Sequence, residues 1–174
     1  GNKKVEGLVT NTGKKLECQA VVIGIGVEPN ILFSADKLTV ERGYIVNEYG
    51  ETSIPKIYAA GDCAMWPYKG NHIHVEHWDH AIYHAKSVAK NMLVEQPVPY
   101  NRVPYFWSDQ YGNRFQYLGY AKEWAFTVIR GSLKEKKFIY FYLDKDYVIK
   151  AAMIVNDPKS VLAVRKLIDN QNVV

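Results

Sequence analysis

A carboxylate placed directly after a glycine is the first feature of this sequence that could do chemistry. The apolar run Ile57–Ala60 is typical of a buried strand, and Gly61 and Asp62 follow it. In an open α/β sheet, ligands bind beyond the carboxyl ends of the strands, where glycine allows a close approach and the next side chain can hydrogen-bond. We therefore predict that Asp62 binds a ligand hydroxyl, such as that of a sugar. A buried strand followed by an ordinary turn is the alternative.

Two aromatic segments carry polar groups beside their rings. Glu76-His77-Trp78 stands where a helical pattern begins, and Phe106-Trp107-Ser108-Asp109-Gln110 follows a proline-rich stretch. An indole can shield an apolar ring edge from water while its N–H reaches a partner. Both segments are candidate walls of a ligand site, although Phe106 and Trp107 would also suit an ordinary core.

The histidines and cysteines give no clear metal or redox motif. Five histidines fall in one stretch: His72, His74, His77, His80 and His84. Metal ligands must converge in space, and an H-x-H pair with scattered neighbours is weak evidence, so we predict surface or core histidines and no metal site. Cys18 and Cys63 form no C-x-x-C pair, which indicates neither a disulfide framework nor a redox dithiol. This pattern favours a reducing, cytoplasmic compartment.

Composition excludes several classes of function. The chain has 174 residues, 48% of them hydrophobic, and a formal net charge of +4 that is spread along the sequence. The densest basic cluster, 134–137, is typical of a solvated turn. Binding of nucleic acid through Tyr140 and Tyr142 is the weakest alternative, because no basic stripe accompanies them. No apolar run approaches the roughly 18 residues that cross a bilayer, so we expect no membrane association.

The first half of the chain predicts short strands followed by one helix. Val5–Val9 and Leu16–Ala20 flank turn residues and predict a β-hairpin. Ala20–Gly26, Gly43–Val46 and Ile57–Ala60 predict strands of one sheet, the first buried on both faces. A helix is predicted from Asp79 to Leu93, with close packing along the alanines at 81, 85 and 89.

The second half predicts an antiparallel meander covered by a helix. Pro97 and Pro99 end the preceding helix and mark a boundary. The predicted strands are Phe115–Tyr120, Ala125–Arg130, Lys137–Leu143 and Tyr147–Ile154. Asp157-Pro158 then starts a helix with an apolar stripe between Val161 and Ile168.

In this order, the motifs resemble those of flavoprotein reductases with two dinucleotide-binding domains. Thr52 with Ile54–Asp62 resembles the second FAD-binding motif, and Ala20–Asn30 resembles the segment that returns from the NAD-binding to the FAD-binding domain. Glu76-His77-Trp78 resembles the E-x-W start of the flavin-facing helix. Phe106–Gln110 resembles the start of the C-terminal interface domain in ferredoxin and rubredoxin reductases of the putidaredoxin reductase type.

The resemblance implies a set of cofactor-binding residues and no catalytic side chain. Asp62 would hold the ribityl chain of FAD, and backbone groups near His77 and Trp78 would face the pyrimidine end of the flavin ring. Trp107 would pack beside that ring. The implied cofactor-binding residues are Gly61, Asp62, Glu76, His77, Trp78 and Trp107.

The implied fold class is α/β plus α+β. Residues 1–19 would be a hairpin from the end of an NAD-binding domain, and residues 20–97 the C-terminal portion of a Rossmann-like FAD-binding domain. Residues 98–174 would be the antiparallel reductase C-terminal domain with its covering helix.

The implied activity is FAD-dependent oxidation of NAD(P)H, with electrons passed to a ferredoxin- or rubredoxin-like acceptor. The G-x-G-x-x-G units that bind the pyrophosphates of FAD and NAD are absent from these 174 residues. We therefore expect a C-terminal part of a longer enzyme that is inactive without its N-terminal FAD and NAD domains, and we expect a homo-oligomer. The alternatives are an NADH oxidase, a nitrite reductase-type flavoprotein, or a non-catalytic dimerisation and interaction module.

Overall fold

A computed structural model describes residues 3–32 and 38–173 of the chain. It begins with an antiparallel hairpin of β1 (Gly7–Val9) and β2 (Lys15–Glu17). The Gly13 amide closes the turn by donating to the Thr10 carbonyl at 2.9 Å. The predicted hairpin is confirmed, with shorter and exposed strands that add little to the core.

The predicted strand over Ala20–Gly26 is wrong. These residues form no strand, and Val22 and Ile25 are 97% and 93% exposed. Branched side chains favour an extended backbone, but a strand also needs a neighbour that satisfies its N–H and C=O groups. Among the described residues no segment pairs with this run, so its strand propensity is not realised.

A three-stranded sheet forms the middle of the chain. It consists of β3 (Tyr44–Ile45), β4 (Ala64–Tyr68) and β5 (Asn71–Ile73), in that order. β3 runs parallel to β4, and β5 runs antiparallel to it. The predicted strand Gly43–Val46 is thus confirmed as a short β3. The core of this region contains Val46, Ala64, Trp66, Tyr68, Ile73, Val75 and Tyr100.

The predicted strand Ile57–Ala60 is also wrong. Lys56 has φ of 66° and reverses the chain, so the following residues fold back on 50–52. The Thr52 amide donates to the Ile57 carbonyl at 2.8 Å, and the Ala59 amide donates to the Gly50 carbonyl at 3.0 Å. The segment is therefore a loop, and a 3₁₀ turn at Gly61–Cys63 follows it directly.

The predicted helix is confirmed as α1 (Trp78–Asn91), but it buries a different face from the one expected. Ala85 and Ala89 are exposed, and only Ala81 is partly buried. The helix instead turns a largely polar face inward, composed of Asp79, His80, His84, Val88 and Asn91.

The buried amide of Asn91 fixes the path of the chain beyond α1. Its Nδ2 donates to the Val98 carbonyl at 3.0 Å, and its Oδ1 accepts from the Val98 amide at 2.9 Å. Residues 93–97 between these anchors are exposed. The exposed stretch is therefore a loop whose two ends are joined by the hydrogen bonds between Asn91 and Val98.

The C-terminal half forms a five-stranded antiparallel sheet in the order β6-β7-β10-β9-β8. Its strands are β6 (Tyr105–Gln110), β7 (Asn113–Gly119), β8 (Phe126–Ser132), β9 (Lys137–Leu143) and β10 (Ile149–Val155). Helix α2 (Val161–Asp169) covers β7 and β10 and buries Val164 and Ile168. The four predicted antiparallel strands and the helix are confirmed, and β6 is an additional strand. The predicted meander is wrong, because β7 pairs with β10 and not with β8, which lies at the opposite edge of the sheet. None of the described helices is long and apolar enough to cross a membrane.

Candidate functional site

The N-terminus of α1 and the start of β6 enclose a small cavity. Its volume is about 310 Å³, and it is lined by Glu76, His77, Trp78, Phe106 and Trp107. Ligand pockets commonly measure about 300–1,000 Å³, so this cavity has room for part of a ligand. The structure thus brings together four of the six predicted cofactor-binding residues, drawn from two distant segments of the chain.

The first turn of α1 offers backbone donors to this cavity. His77 is the N-cap residue in an extended conformation, and no side chain caps the helix. The first amides of a helix have no intrahelical acceptor, and the helix dipole adds partial positive charge there. This end of α1 can therefore stabilise an anionic or electron-rich group.

His77 is held between the helix and the sheet. Its ring lies 4.8 Å from that of Phe106, and its Nδ1 is buried without a hydrogen-bond partner among the described residues. Burial lowers the pKa of His77, while the nearby carboxylates of Asp62, Asp79 and Glu76 act in the opposite direction. The Nδ1 of His77 is therefore a buried polar atom beside the cavity and has no surface of its own to offer a ligand.

Two indoles form the outer wall of the cavity, and a tyrosine that does not line the cavity stacks on one of them. The rings of Trp78 and Trp107 meet edge to face, with centroids 5.8 Å apart and planes at 84°. Tyr105 stacks on Trp107 at 5.8 Å and 27°. Trp78 is 68% exposed and Trp107 is 39% exposed, so both indoles present free surface to a ligand.

The Gly61–Asp62 turn packs against α1 but does not line the cavity. Gly61 has φ of 74°, and a Cβ there would lie 3.4 Å from the Cα and Cβ of Ala81. The Asp62 carbonyl bonds Nε2 of His74 at 2.6 Å, and the Asp62 side chain is exposed. Asp62 is thus free to bind a hydroxyl beside the first turns of α1, outside the aromatic wall.

Glu76 has a different environment from its neighbours. Its Oε1 accepts from Nη2 of Arg42 at 3.0 Å and lies 3.7 Å from Nδ1 of His74. These contacts hold the carboxylate between the small cavity and an adjoining cavity of about 1,090 Å³, which Glu76, His77 and Phe106 also line.

Arg102, just before β6, binds Asp79 in the first turn of α1 and so joins the two segments that line the cavity. It was not identified from the sequence. Its Nε and Nη2 donate to the two carboxylate oxygens of Asp79 at 2.9 and 3.0 Å. Its guanidinium also lies 3.7 Å from the ring centroid of Tyr83, and the bond to Asp79 raises the pKa of Arg102. The partners are 23 residues apart, so no local pattern predicts the pair.

His80 and His84 form a buried aromatic cluster under the site with Trp66 and Tyr100. The ring of His80 stacks on Trp66 at 5.3 Å, and that of His84 stacks on Tyr100 at 4.7 Å. Burial lowers the pKa of His80 to about 3 and that of His84 to about 4, so both rings are neutral at neutral pH. In the described ranges no group of histidine, cysteine and acidic side chains could hold a metal ion.

Two family models match this chain. Residues 1–85 match the pyridine nucleotide-disulphide oxidoreductase model, and residues 105–174 match the reductase C-terminal model. Together these matches include every predicted cofactor-binding residue.

Curated proteins and a solved structure agree with these matches. The chain is 33% identical over 161 residues to apoptosis-inducing factor 3 of Mus musculus, covering 89% of this chain and 26% of that protein. It is 34% identical over 168 residues to rhodocoxin reductase of Rhodococcus erythropolis, covering 95% and 39%. A crystal structure of the covalent putidaredoxin reductase–putidaredoxin complex superposes with a TM-score of 0.86 at 31% identity, covering 95% of this chain and 40% of that one.

The chain spans only about a quarter to two-fifths of the length of these relatives. The fold matches the one the sequence motifs implied, a partial dinucleotide-binding domain followed by the antiparallel C-terminal domain. The chain belongs to the pyridine nucleotide-disulphide oxidoreductase family, in the group that carries a reductase C-terminal domain.

Proposed function

We propose that this chain forms the flavin-facing C-terminal part of an FAD-dependent NAD(P)H reductase that passes electrons to a ferredoxin- or rubredoxin-like protein. One observation carries the proposal: the uncapped N-terminus of α1, the Trp78–Trp107 wall and the Gly61–Asp62 turn lie around the same helix end.

The residues present fit FAD by their chemistry. Asp62 would accept a hydrogen bond from the ribityl chain, and Gly61 leaves its backbone open to close approach. The amides at the start of α1 would face the electron-rich pyrimidine edge of the ring. Trp78 and Trp107 would cover the ring and limit its contact with water.

Bound FAD would supply the redox chemistry, by accepting a hydride from NAD(P)H and releasing electrons one at a time. The residues of this chain would bind and orient. The partial positive charge at the start of α1 would favour added negative charge nearby, and the aromatic wall would lower the local dielectric constant. No side chain of this chain is needed as an acid, base or nucleophile.

The relatives support the choice of acceptor. Rhodocoxin reductase and the putidaredoxin reductase–putidaredoxin complex are named for small electron-transfer partners. By analogy, we propose an acceptor of that class and a reducing, cytoplasmic compartment. NADH oxidase and nitrite reductase-type activities remain alternatives within the same proposal, and oxygen or nitrite in place of the acceptor protein would reveal them.

The proposal places the pyrophosphate-binding part outside these residues, since the sequence contains no G-x-G-x-x-G motif. We therefore expect the 174-residue chain alone to bind FAD weakly and to turn over no NAD(P)H. A separately produced segment that contains this motif should restore tight binding.

Flavin titration tests this directly. FAD fluorescence would be followed with the chain alone, with the motif-containing segment alone, and with both together. Tight binding by the chain alone would refute the claim that it is incomplete. No added binding when the chain joins the other segment would refute the flavin site itself.

A matched pair of tryptophan variants locates the site. Trp107→Leu should weaken FAD binding in the restored protein by about two- to tenfold, since aromatic packing of one ring contributes roughly 0.5–1.5 kcal/mol. Trp124→Leu is the control, because Trp124 is 52% exposed but packs on Tyr142 away from the cavity. Equal effects of the two variants would remove Trp107 from the site.

A second candidate function is a non-catalytic interaction module, favoured by the exposed apolar segment Val21–Val27. Its Val22, Ile23 and Ile25 are 97%, 74% and 93% exposed, and unpartnered apolar segments of this kind pair readily with other chains. We propose a homo-oligomer for the chain on this basis. Light scattering that gives a monomer mass at micromolar concentration would contradict it.

A further inference from the structure

The amide of Gly61 has an unusual hydrogen-bond partner. It donates across the structure to Nδ1 of His84, 23 residues later in the chain, at 3.3 Å. Gly61 is itself buried, so its amide needs an acceptor inside the protein. The single contact to His84 is therefore what satisfies this end of the turn.

His84 cannot move away from this contact easily. The side chain is 1% exposed, and its ring stacks on Tyr100 at 4.7 Å with an angle of 28° between the planes. His80 lies 4.8 Å away and Trp66 lies 6.0 Å away, both measured between ring centroids. Three aromatic neighbours thus fix the plane of the imidazole and the direction of its Nδ1.

The protonation state of His84 follows from the donor. Because the Gly61 amide donates, Nδ1 must be the unprotonated nitrogen and the ring proton must sit on Nε2. If both ring nitrogens carried a proton, the Nδ1–H of His84 would point at the N–H of Gly61 and the hydrogen bond would be lost. Burial, which lowers the pKa of His84 to about 4, keeps the ring in the accepting state at neutral pH.

The turn that His84 holds is the one that carries Asp62. The turn also lies close to α1 at Ala81, where a Cβ added to Gly61 would be 3.4 Å away; Ala81 is three residues before His84 and on the same face of the helix. The backbone of the turn is thus fixed to α1 at two points, one steric and one polar. Displacing either point would move the Asp62 carboxylate relative to the first turn of α1.

We propose that His84 is a positioning residue of the flavin site, whose Nδ1 anchors the Gly61 amide and thereby sets where Asp62 stands relative to the N-terminus of α1. The inference rests on the proposed function for the identity of the ligand that Asp62 binds. The anchoring itself does not depend on that ligand.

A matched pair of substitutions separates anchoring from packing. His84→Asn keeps an acceptor, because Oδ1 of asparagine occupies nearly the position of Nδ1. His84→Leu removes the acceptor and keeps a side chain that, like asparagine, branches at Cγ. His80→Asn is the control for damage to the aromatic cluster, since no hydrogen bond joins His80 to Gly61 among the described residues.

The first measurement is hydrogen exchange of the Gly61 amide in the chain without flavin, read by nuclear magnetic resonance. Exchange in His84→Leu should be at least about tenfold faster than in the wild type, and His84→Asn and His80→Asn should stay within about threefold of it. Unchanged exchange in His84→Leu, with the fold intact by circular dichroism, would overturn the anchor.

The second measurement is FAD affinity of the protein restored with its pyrophosphate-binding segment. His84→Leu should weaken binding by about tenfold, and His84→Asn should recover most of it. If the wild type binds FAD but the Leu and Asn variants bind equally well, the role in the flavin site is overturned. If the wild type binds no FAD, the proposed function fails, and the exchange experiment still decides the anchor.

Discussion

Replacing Arg102 by methionine should destabilise the protein by breaking the ion pair between α1 and the segment that leads into β6. Asp79 is only 8% exposed, and both of its oxygens accept from the guanidinium, at 2.9 and 3.0 Å. Hydrogen bonds to charged groups contribute about 1.5–3 kcal/mol each, and removing one partner leaves a buried charge unpaired. The Arg102 side chain is 32% exposed, so solvent screening reduces this. We expect a loss of about 2–3 kcal/mol in the free energy of unfolding.

Urea denaturation followed by tryptophan fluorescence would measure this loss, since the Trp78–Trp107 contact spans the elements that the ion pair joins. A double-mutant cycle with Asp79→Asn should give a coupling energy of about 1–2 kcal/mol. Arg42→Met is the matched control, because Arg42 pairs with Glu76 at a similar distance but is 62% exposed. Exposed pairs contribute about 0.2–1 kcal/mol. Equal effects of the two arginine substitutions, or a coupling near zero, would refute the reasoning.

Two further substitutions and one titration probe the same region. Gly61→Ala and Gly70→Ala should each lower stability by about 1–2 kcal/mol, because both glycines have positive φ; the Gly61 Cβ would lie 3.4 Å from Ala81, an ordinary contact that adds no further loss. A clearly larger loss for Gly61→Ala in thermal denaturation would contradict the fit of a Cβ against α1. Gly119→Ala should be the most damaging, since its Cβ would lie 2.3 Å from a backbone oxygen, and a soluble, fully folded variant would contradict the sheet register. Stability should also fall with acid. His80 and His84 bind protons near pH 6.5 only when unfolded, so each ring removes up to about 1.4 kcal/mol per pH unit between pH 6.5 and about 4. Urea midpoints at pH 7, 5.5 and 4.5 would show this slope, and His80→Asn should reduce it; a slope that His80→Asn leaves unchanged would contradict a neutral buried ring.

The order of β8, β9 and β10 was predictable from sequence because its information is local, whereas the pairing of β7 with β10 joins strands that are distant along the chain. β8, β9 and β10 follow each other through short turns, and each shows the branched and aromatic composition of strands. The hairpin of β4 and β5 went unpredicted although Lys69-Gly70 between them, with φ of 46° and 84°, is a typical tight-turn pair. A proline inside β4 obscures that signal.

The errors in the first half have a shared physical cause. Ala20–Gly26 and Ile57–Ala60 both have strand composition, but composition does not specify a pairing partner. One run finds no partner among the described residues, and the chain reversal at Lys56 folds the other back on its own neighbours. Both runs have the local propensity for a strand, but neither forms the backbone hydrogen bonds to a distant strand that a sheet requires.

The residues that line the candidate site could be predicted from sequence motifs, but the residues that position them could not. Glu76, His77, Trp78 and Trp107 share one cavity, as the motifs implied. Arg102 binds Asp79, and His84 accepts from the Gly61 amide; each contact joins residues 23 positions apart. No periodicity or short motif encodes such contacts, so only the folded structure identifies them.

The loop at 93–97, held at its base by Asn91 and Val98, also bears on how the chain can be lengthened. Closing a flexible loop costs configurational entropy that grows only with the logarithm of its length, about 0.6 kcal/mol for each doubling. Since the base is pinned on both sides, extra residues at this tip would leave the bond between Asp79 and Arg102 in register. The tip is thus a natural point for inserting a peptide tag or a whole folded domain without moving the tryptophan pair.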